Sequence, residues 1–565
     1  MGFDLLIKNG RIVDGSGLPA YRGDVGIRQG RIAALGRLAG PARQVIDAEG
    51  RVVAPGFIDL HTHYDAQLFW DPLATSSCWH GVTTAVMGNC GLTLAPCKPE
   101  DRETMMEILA KVEDIPASSM EKSLPWSWET TGEYLDAVGR RLGINVACLI
   151  GHSAVRRYVM GPAASEREAT PEEIARMQDV VRQGMAAGAF GFSTSLSPTH
   201  IDRDGRPVPS RFASHDEIVA LGGVLREFNA GEIELVPASI FNGIDKQDRD
   251  LMVRLARESG RMVYWNEFFF TDAWRDMARF MADAHAQGAR VYTANRSEYP
   301  VREFSLGRSS IAIAGLAAWR KVFMYTPYEY RLKSVRDPAV RDTLRRDVDE
   351  SPSVFRPPWE RIYVQEARLP RNKALEGKSI KQIAAETGRH VADAILDLAL
   401  EEDLETVFRQ VGTSASDESA LPEFIRCPYS IIGLSDAGAH MGGSCGADFG
   451  TNFLRLWVRE RGVVSLEEGV RRLSFVPAHL VGLLDRGLLQ VGMAGDAVVF
   501  DPETIGSFPG EMVNDVPGGS SRMVKRARGV DYVIVNGEVL VDHGKHTGPY
   551  PGQVLRSTRY AQALD

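Results

Sequence analysis

His61 and His63 stand two residues apart at the end of an apolar run, Val52 to Ile58, that contains one Pro-Gly step. In a strand, alternate side chains point the same way, so both imidazoles face one side. Two neutral imidazoles on one face at a strand end form half of a zinc site. The plainer reading puts one histidine on a surface strand and hydrogen-bonds the other in a core. The lead-in Gly56-Phe57-Ile58-Asp59 before H-x-H is a demanding pattern and favours the metal.

Further groups of the right chemistry follow at the ends of other apolar runs. Gly88-Asn89-Cys90-Gly91 sets a thiol between glycines. A metal would hold that thiol deprotonated; a small buried thiol is the alternative. Gly151-His152-Ser153 offers a histidine with Arg156 one turn on, better suited to a pocket wall than to direct ligation. Gly433-Leu434-Ser435-Asp436 offers a carboxylate that can ligate a metal and shuttle a proton, or cap the next segment. His200 and His440 are further polar groups near strand ends, each readable as a loop histidine.

These groups need a scaffold that brings strand ends together. Val82 to Met87, Asn145 to Ile150, Ala189 to Ser193, Ile233 to Ala238, Met262 to Trp265, Arg290 to Ala294 and Ser430 to Leu434 read as strands. Between them, Pro171 to Ala187, His215 to Asn229, Asp248 to Ser259 and Thr271 to Gln287 carry helical patterns. Strand and helix alternating at this spacing predict parallel βα units, and with the His61 strand they predict an α/β fold of the (β/α)8 barrel type over residues 55–487. Residues 1–54 and 488–565 read as short strands with turns at Asn9-Gly10, Gln29-Gly30 and Asn536-Gly537, so both chain ends are expected to build one small β-domain. Residues from about 320 to 420 break the rhythm, with a strongly helical stretch from Ser379 to Gln410, and are expected to form an insertion before the last barrel strand.

The chain has 565 residues, 44% hydrophobic and 25% charged, ordinary for a globular protein with a large core. Its net charge is −9, with Lys and Arg spread out, which argues against nucleic acid as a partner. No apolar run approaches a membrane span and no secretory signal opens the sequence. Six unevenly spaced cysteines do not read as a disulfide framework, so a cytoplasmic protein without membrane partners is expected. A homo-oligomer is compatible with the insertion and with the terminal β-domain, either of which could pair.

Taken together, His61-Thr62-His63, His80-Gly81-Val82-Thr83-Thr84, Gly88-Asn89-Cys90-Gly91, Gly191-Phe192-Ser193-Thr194 and Gly433-Leu434-Ser435-Asp436 resemble the amidohydrolase superfamily. Within it the chain is similar to the N-acyl-D-amino-acid deacylase (D-aminoacylase) branch. The resemblance implies a metal-dependent barrel with a β-sandwich built from both ends, and hydrolysis of the amide of a small molecule through a metal-activated water. It implies a divalent metal, most often zinc, held by His61, His63, Cys90 and Asp436, with Asp436 also the general acid and base.

The same resemblance implies a histidine at the ends of the fifth and sixth strands. Here those ends read Val236-Pro237-Ala238-Ser239 and Trp265-Asn266-Glu267, without histidine. Ser239 and Asn266 are the nearest matches, and Asn266 or Glu267 could supply oxygen. One ion is therefore expected rather than two. The Tyr after the fourth strand, and the Arg and Lys that would grip a substrate carboxylate, are also absent. Trp265 and Phe268 to Phe270 read as core or as an apolar cleft wall. Two functions remain in view: a hydrolase with an altered metal site and pocket, or a scaffold that has lost hydrolysis and binds a ligand or does other chemistry.

Overall fold

The structure is a computed structural model and describes residues 2–561, apart from 241–242, 268–273, 298–300, 308–310, 314, 324–325, 352–355, 413–420 and 444. Its chain separates into two compact units, the larger holding every residue up to 268, 274–298 and 421 onward, the smaller holding chiefly 299–420.

The larger unit contains a (β/α)8 barrel. Its eight strands are Phe57–Asp59 with His61–Thr62, Val82–Met87, Asn145–Cys148 with Ile150–Gly151, Gly191–Ser195, Glu232–Val236, Val263–Glu267, Val291–Asn295, and Ser430–Ile432 with Leu434–Ala437. They are called strands 1 to 8 below. Each pairs in parallel with the next. Leu434 beside His61 joins strand 8 to strand 1 and closes the ring. Val82–Met87 is buried at every position, as expected for a parallel strand covered on both faces. The helices between strands begin at chemical stops. Thr170 and Glu173 cap each other at Pro171–Ala186, and Ser214 caps His215–Gly223.

Strands from both chain ends form the small β-sandwich domain. Val52–Pro55, near the start, pairs antiparallel with Ala497–Phe500, near the end, so neither terminal segment completes the sheet alone. Leu5, Ile7, Ile12, Val25, Ile27, Ile46, Val499 and Ile534 fill its core. One turn differs from expectation. Asn9-Gly10 does not end a strand; Phe3–Ile12 runs through it with a bulge, and Asn9 takes φ 61°. Its neighbours explain this, because the backbone N–H of Asn9 is held by Asp24 and the strand continues beside Tyr21–Arg28. Gln29-Gly30 and Asn536-Gly537 do turn hairpins, with both central residues at positive φ.

The smaller unit begins earlier than the composition break at 320. Val301–Phe304 pairs with Val407–Val411, which in turn pairs with Ile362–Glu366. The stretch expected to be helical to Gln410 ends at Glu401, since Val407–Val411 alternates buried and exposed side chains and joins this sheet. Helices such as Val391–Glu401 close a core around Trp319, Phe323, Leu344, Ile395 and Phe408.

The seam between strands 8 and 1 carries both ends of the chemistry. Leu60 N–H donates to Gly433 O at 2.8 Å, and His63 N–H to Ala437 O at 2.7 Å. Gly438 follows at φ +91°, where an added Cβ would lie 2.6 Å from the His63 carbonyl oxygen. Gly438→Ala is therefore expected to lower stability by about 1–3 kcal/mol through strain and crowding at this seam. Urea unfolding of the variant beside the wild type measures it, and equal midpoints would contradict this account of the seam.

Candidate metal centre

His61 and His63 point from the end of strand 1 into the barrel mouth, with side chains 0% and 1% exposed. Cys90 reaches the same point by a turn in which Gly88, Cys90 and Gly91 all take positive φ. Three side chains anchor that turn. Gly88 N–H donates to Asp65 at 3.1 Å, Cys90 N–H to Glu234 at 2.8 Å and Gly91 N–H to Ser193 Oγ at 3.0 Å. Cys90 Sγ then lies 3.6 Å from His61 Nε2 and 4.0 Å from His63 Nε2.

Asp436 completes the cluster from strand 8. Its Oδ1 is 3.5 Å from His61 Nε2 and 3.4 Å from His63 Nε2. Its Oδ2 accepts a 2.6 Å hydrogen bond from Arg296, just past strand 7, whose other nitrogen donates to Ser435 O at 3.1 Å. Asp436 itself takes φ 63°, which turns the carboxylate inward.

These separations fit a bound divalent cation. Donors at ordinary zinc distances, about 2.0 Å for nitrogen or oxygen and 2.3 Å for sulfur, lie about 3.3–3.5 Å apart in a tetrahedral shell, close to these values. The His61, His63 and Cys90 donor atoms all fall within 4.8 Å of one another. Behind His61, Glu234 Oε1 lies 4.0 Å from Nδ1, beyond hydrogen-bond reach, and both atoms are buried without a hydrogen-bond partner.

Electrostatics set conditions on such binding. Burial, aided by His63, holds His61 well below its ordinary range. Burial alone would lower His63 too, but Glu113 and Asp436 push it up to about 9. A cation at Nε2 must therefore displace a proton from His63. Burial, then Glu234, Glu113 and Asp436, raises the Cys90 thiol well above its ordinary value. Burial would raise Asp436, yet Arg296 first, then His63 and His61, hold it well below the usual carboxylate range.

The other expected residues lie as follows. Asn266, on strand 6, brings Nδ2 to 3.5 Å from His61 Nε2 and 3.9 Å from Cys90 Sγ. The side chain of Glu267 lies outside the described residues, as does the run Phe268 to Phe270. Trp265 is buried in the core against Phe280. Ser239 does not occupy the fifth-strand position. Strand 5 ends at Val236, and Ser239 bonds to Asp248 on the next helix. The side chain of that strand which reaches the cluster is Glu234.

His152 begins the helix after strand 3, and both its ring nitrogens are taken, by Thr194 Oγ1 at 2.8 Å and Glu217 at 2.9 Å. Arg156 grips the same buried Glu217. That knot fastens two βα units to each other. His200 bonds Ser195 Oγ at 2.8 Å, and burial, then His63, pushes it down to about 3, so it stands neutral at the mouth. His440 takes φ 51° and sets Nε2 3.9 Å from Asp436 Oδ2.

Three residues of the cluster escaped the sequence reading. Glu234 left a trace, because Glu232-Ile233-Glu234-Leu235-Val236 puts two acids on the inward face of one strand. Arg296 directly follows a barrel strand, a position that invites scrutiny. Glu113, after the helix Arg102–Val112, had no local signal.

A model of the amidohydrolase family matches residues 44–541. The chain belongs to the amidohydrolase family. It is 27% identical to the D-aminoacylase of Alcaligenes xylosoxydans xylosoxydans over 98% of both chains. It resembles the crystal structure of N-acyl-D-glutamate deacylase from Bordetella bronchiseptica, complexed with zinc and a phosphonate mimic of the tetrahedral intermediate, at TM-score 0.67 and 25% identity, covering 98% of this chain and 100% of that one. A D-aminoacylase structure described by one-metal activation and second-metal attenuation of a binuclear centre matches at TM-score 0.66 and 25% identity, with the same coverage. This amidohydrolase is thus D-aminoacylase-like, metal-dependent and a hydrolase of carbon–nitrogen bonds. Among the described residues no helix is long and apolar enough to cross a membrane.

The Glu217 knot yields a test of stability against pH. Burial would raise this carboxyl, but hydrogen bonds and charge from His152 and Arg156 hold it below its ordinary value. A depressed carboxylate stabilises the fold above the unfolded pKa, and that stabilisation is lost as pH falls through the folded value. Glu217→Gln leaves Arg156 buried without its carboxylate and is expected to cost about 3 kcal/mol at neutral pH. The variant's stability should also decline less than the wild type's as pH falls below about 4.5. Denaturant titrations at several pH values would record both effects.

Proposed function

We propose that this amidohydrolase cleaves the N-acyl amide bond of a small molecule at a site holding one divalent ion, zinc, through His61, His63, Cys90 and Asp436. The observation that supports it most is Asp436 Oδ1, held 3.4–3.5 Å from both Nε2 atoms while Arg296 occupies its other oxygen. With His63 deprotonated, these buried groups face one another at a spacing that suits a shared cation.

A bound ion would supply Lewis acidity and lower the pKa of water. The chain's own groups would do the rest. Asp436 Oδ1 would take the proton of the attacking water and return it to the leaving nitrogen. Arg296 holds that carboxylate in place throughout, through Oδ2 and the Ser435 carbonyl. His440 lies beside the same carboxylate, and His200 stands neutral at the mouth; both would meet the substrate. A single ion is favoured because the described ends of strands 5 and 6 present Val236 and Asn266 in place of histidine.

An N-acyl amino acid is the substrate class nearest to that of the deacylase relatives. A cytoplasmic location is consistent with six free cysteines. No nucleic-acid or membrane partner is invoked, and a homo-oligomer is compatible with either accessory region.

The test combines metal analysis with turnover of N-acetyl-D-amino acids. Chelation is expected to abolish activity and added zinc to restore it. Asp436→Asn should lower kcat by about 100-fold or more. Unchanged turnover in that variant would overturn its role, and activity indifferent to chelation would favour a scaffold without metal hydrolysis.

A further inference from the structure

Glu113 sits where the helix Arg102–Val112 ends, in the long connection between strands 2 and 3. Its backbone is fixed from two sides: its N–H donates to Leu109 O at 2.9 Å, and its carbonyl accepts from His440 N–H at 2.5 Å. Its side chain is only 4% exposed and turns into the mouth, where Oε2 lies 3.6 Å from His63 Nε2. Among the described residues no hydrogen-bond donor meets this carboxylate, and its nearest charged neighbour is that imidazole.

A buried carboxylate without a donor is costly unless a cation faces it. The 3.6 Å separation is too long for a hydrogen bond and close to the spacing of about 3.3 Å between a nitrogen and an oxygen donor on one tetrahedral ion. It repeats the spacing of His63 to Asp436, 3.4 Å, and of His61 to Cys90, 3.6 Å. Strands 5 and 6 meanwhile bring no imidazole to the cluster from their described residues.

We propose that Glu113 is a further metal ligand, supplied by the connection after strand 2 and binding the same ion as His61 and His63. The proposal rests on the single-metal reading above and adds a donor that the strand ends do not provide. It also ties the position of His440 to the ion, since Glu113 carries the His440 backbone on its carbonyl.

The alternative is an ion pair between Glu113 and a protonated His63. The two differ in sign. A mere ion pair, once removed, leaves His63 easier to deprotonate, so metal affinity holds or rises. A lost ligand lowers affinity.

The experiment loads wild type, Glu113→Gln and Glu113→Asp with cobalt(II) and zinc. It measures bound metal, affinity by chelator competition, and the visible cobalt spectrum. Glu113→Gln is expected to weaken affinity by at least about tenfold, the low end even for groups that only orient ligands. Its cobalt absorption should intensify as a donor is lost, with Glu113→Asp between the two. Affinity within about twofold of wild type and an unchanged spectrum would overturn the proposal while leaving the single-metal reading intact. Failure of the wild type itself to bind metal would overturn both. If Glu113→Gln does not fold, a zinc-loaded crystal structure of the wild type decides: a Glu113 oxygen at about 2.0–2.2 Å from the ion supports the proposal, and one beyond direct contact overturns it.

Discussion

The rest of this site depends on the burial of several acids around two imidazoles. Asp59, Asp65, Glu113, Glu234 and Asp436 all lie within the barrel mouth, shielded from water. Burial pushes Asp59 to about 7, Asp65 to about 6, Glu113 to about 7 and Glu234 to about 8. N–H groups and cations that face such a set favour its charged form against the pull of burial. Backbone N–H groups of His61 and Ser435 face Asp59, that of Gly88 faces Asp65, and that of Cys90 faces Glu234. Arg296 faces Asp436.

Part of the chain's left-handed backbone serves this demand at the mouth. Cys90, Asp436 and His440 all adopt left-handed φ, which costs a side-chain-bearing residue about 1 kcal/mol or more each. Each such turn aims a side chain or an N–H group at the cluster. The parallel strands beneath are buried on both sides and cannot shift without exposing core, so they hold the strained turns in place. The Glu217 knot with His152 and Arg156 does the same for the wall built by strands 3 and 4.

Much of this was legible in the sequence. Periodicity located the barrel strands to within a few residues, because fully buried parallel strands are short, apolar and bounded by turns. The turns at Gln29-Gly30 and Asn536-Gly537 were read from local chemistry alone. Asn9-Gly10 misled because a bulge and a hairpin share the same residue preferences, and only the pairing with Tyr21–Arg28 selects between them. Val407–Val411 has no local strand signal, because its partners, Val301–Phe304 and Ile362–Glu366, are distant in the chain.

The kind of chemistry is legible in the order of residues alone. H-x-H at a strand end, a thiol among glycines and an aspartate ending the last strand are local patterns, and local geometry fixes which way they face. The tertiary structure decided which distant groups share their space. Glu113, Glu234 and Arg296 come from three separate elements, two connections and a strand, and no spacing links them to His61 and His63. Whether a buried carboxylate meets a donor, another acid or an imidazole depends on the closing of the ring, so that part of the site is written in three dimensions only.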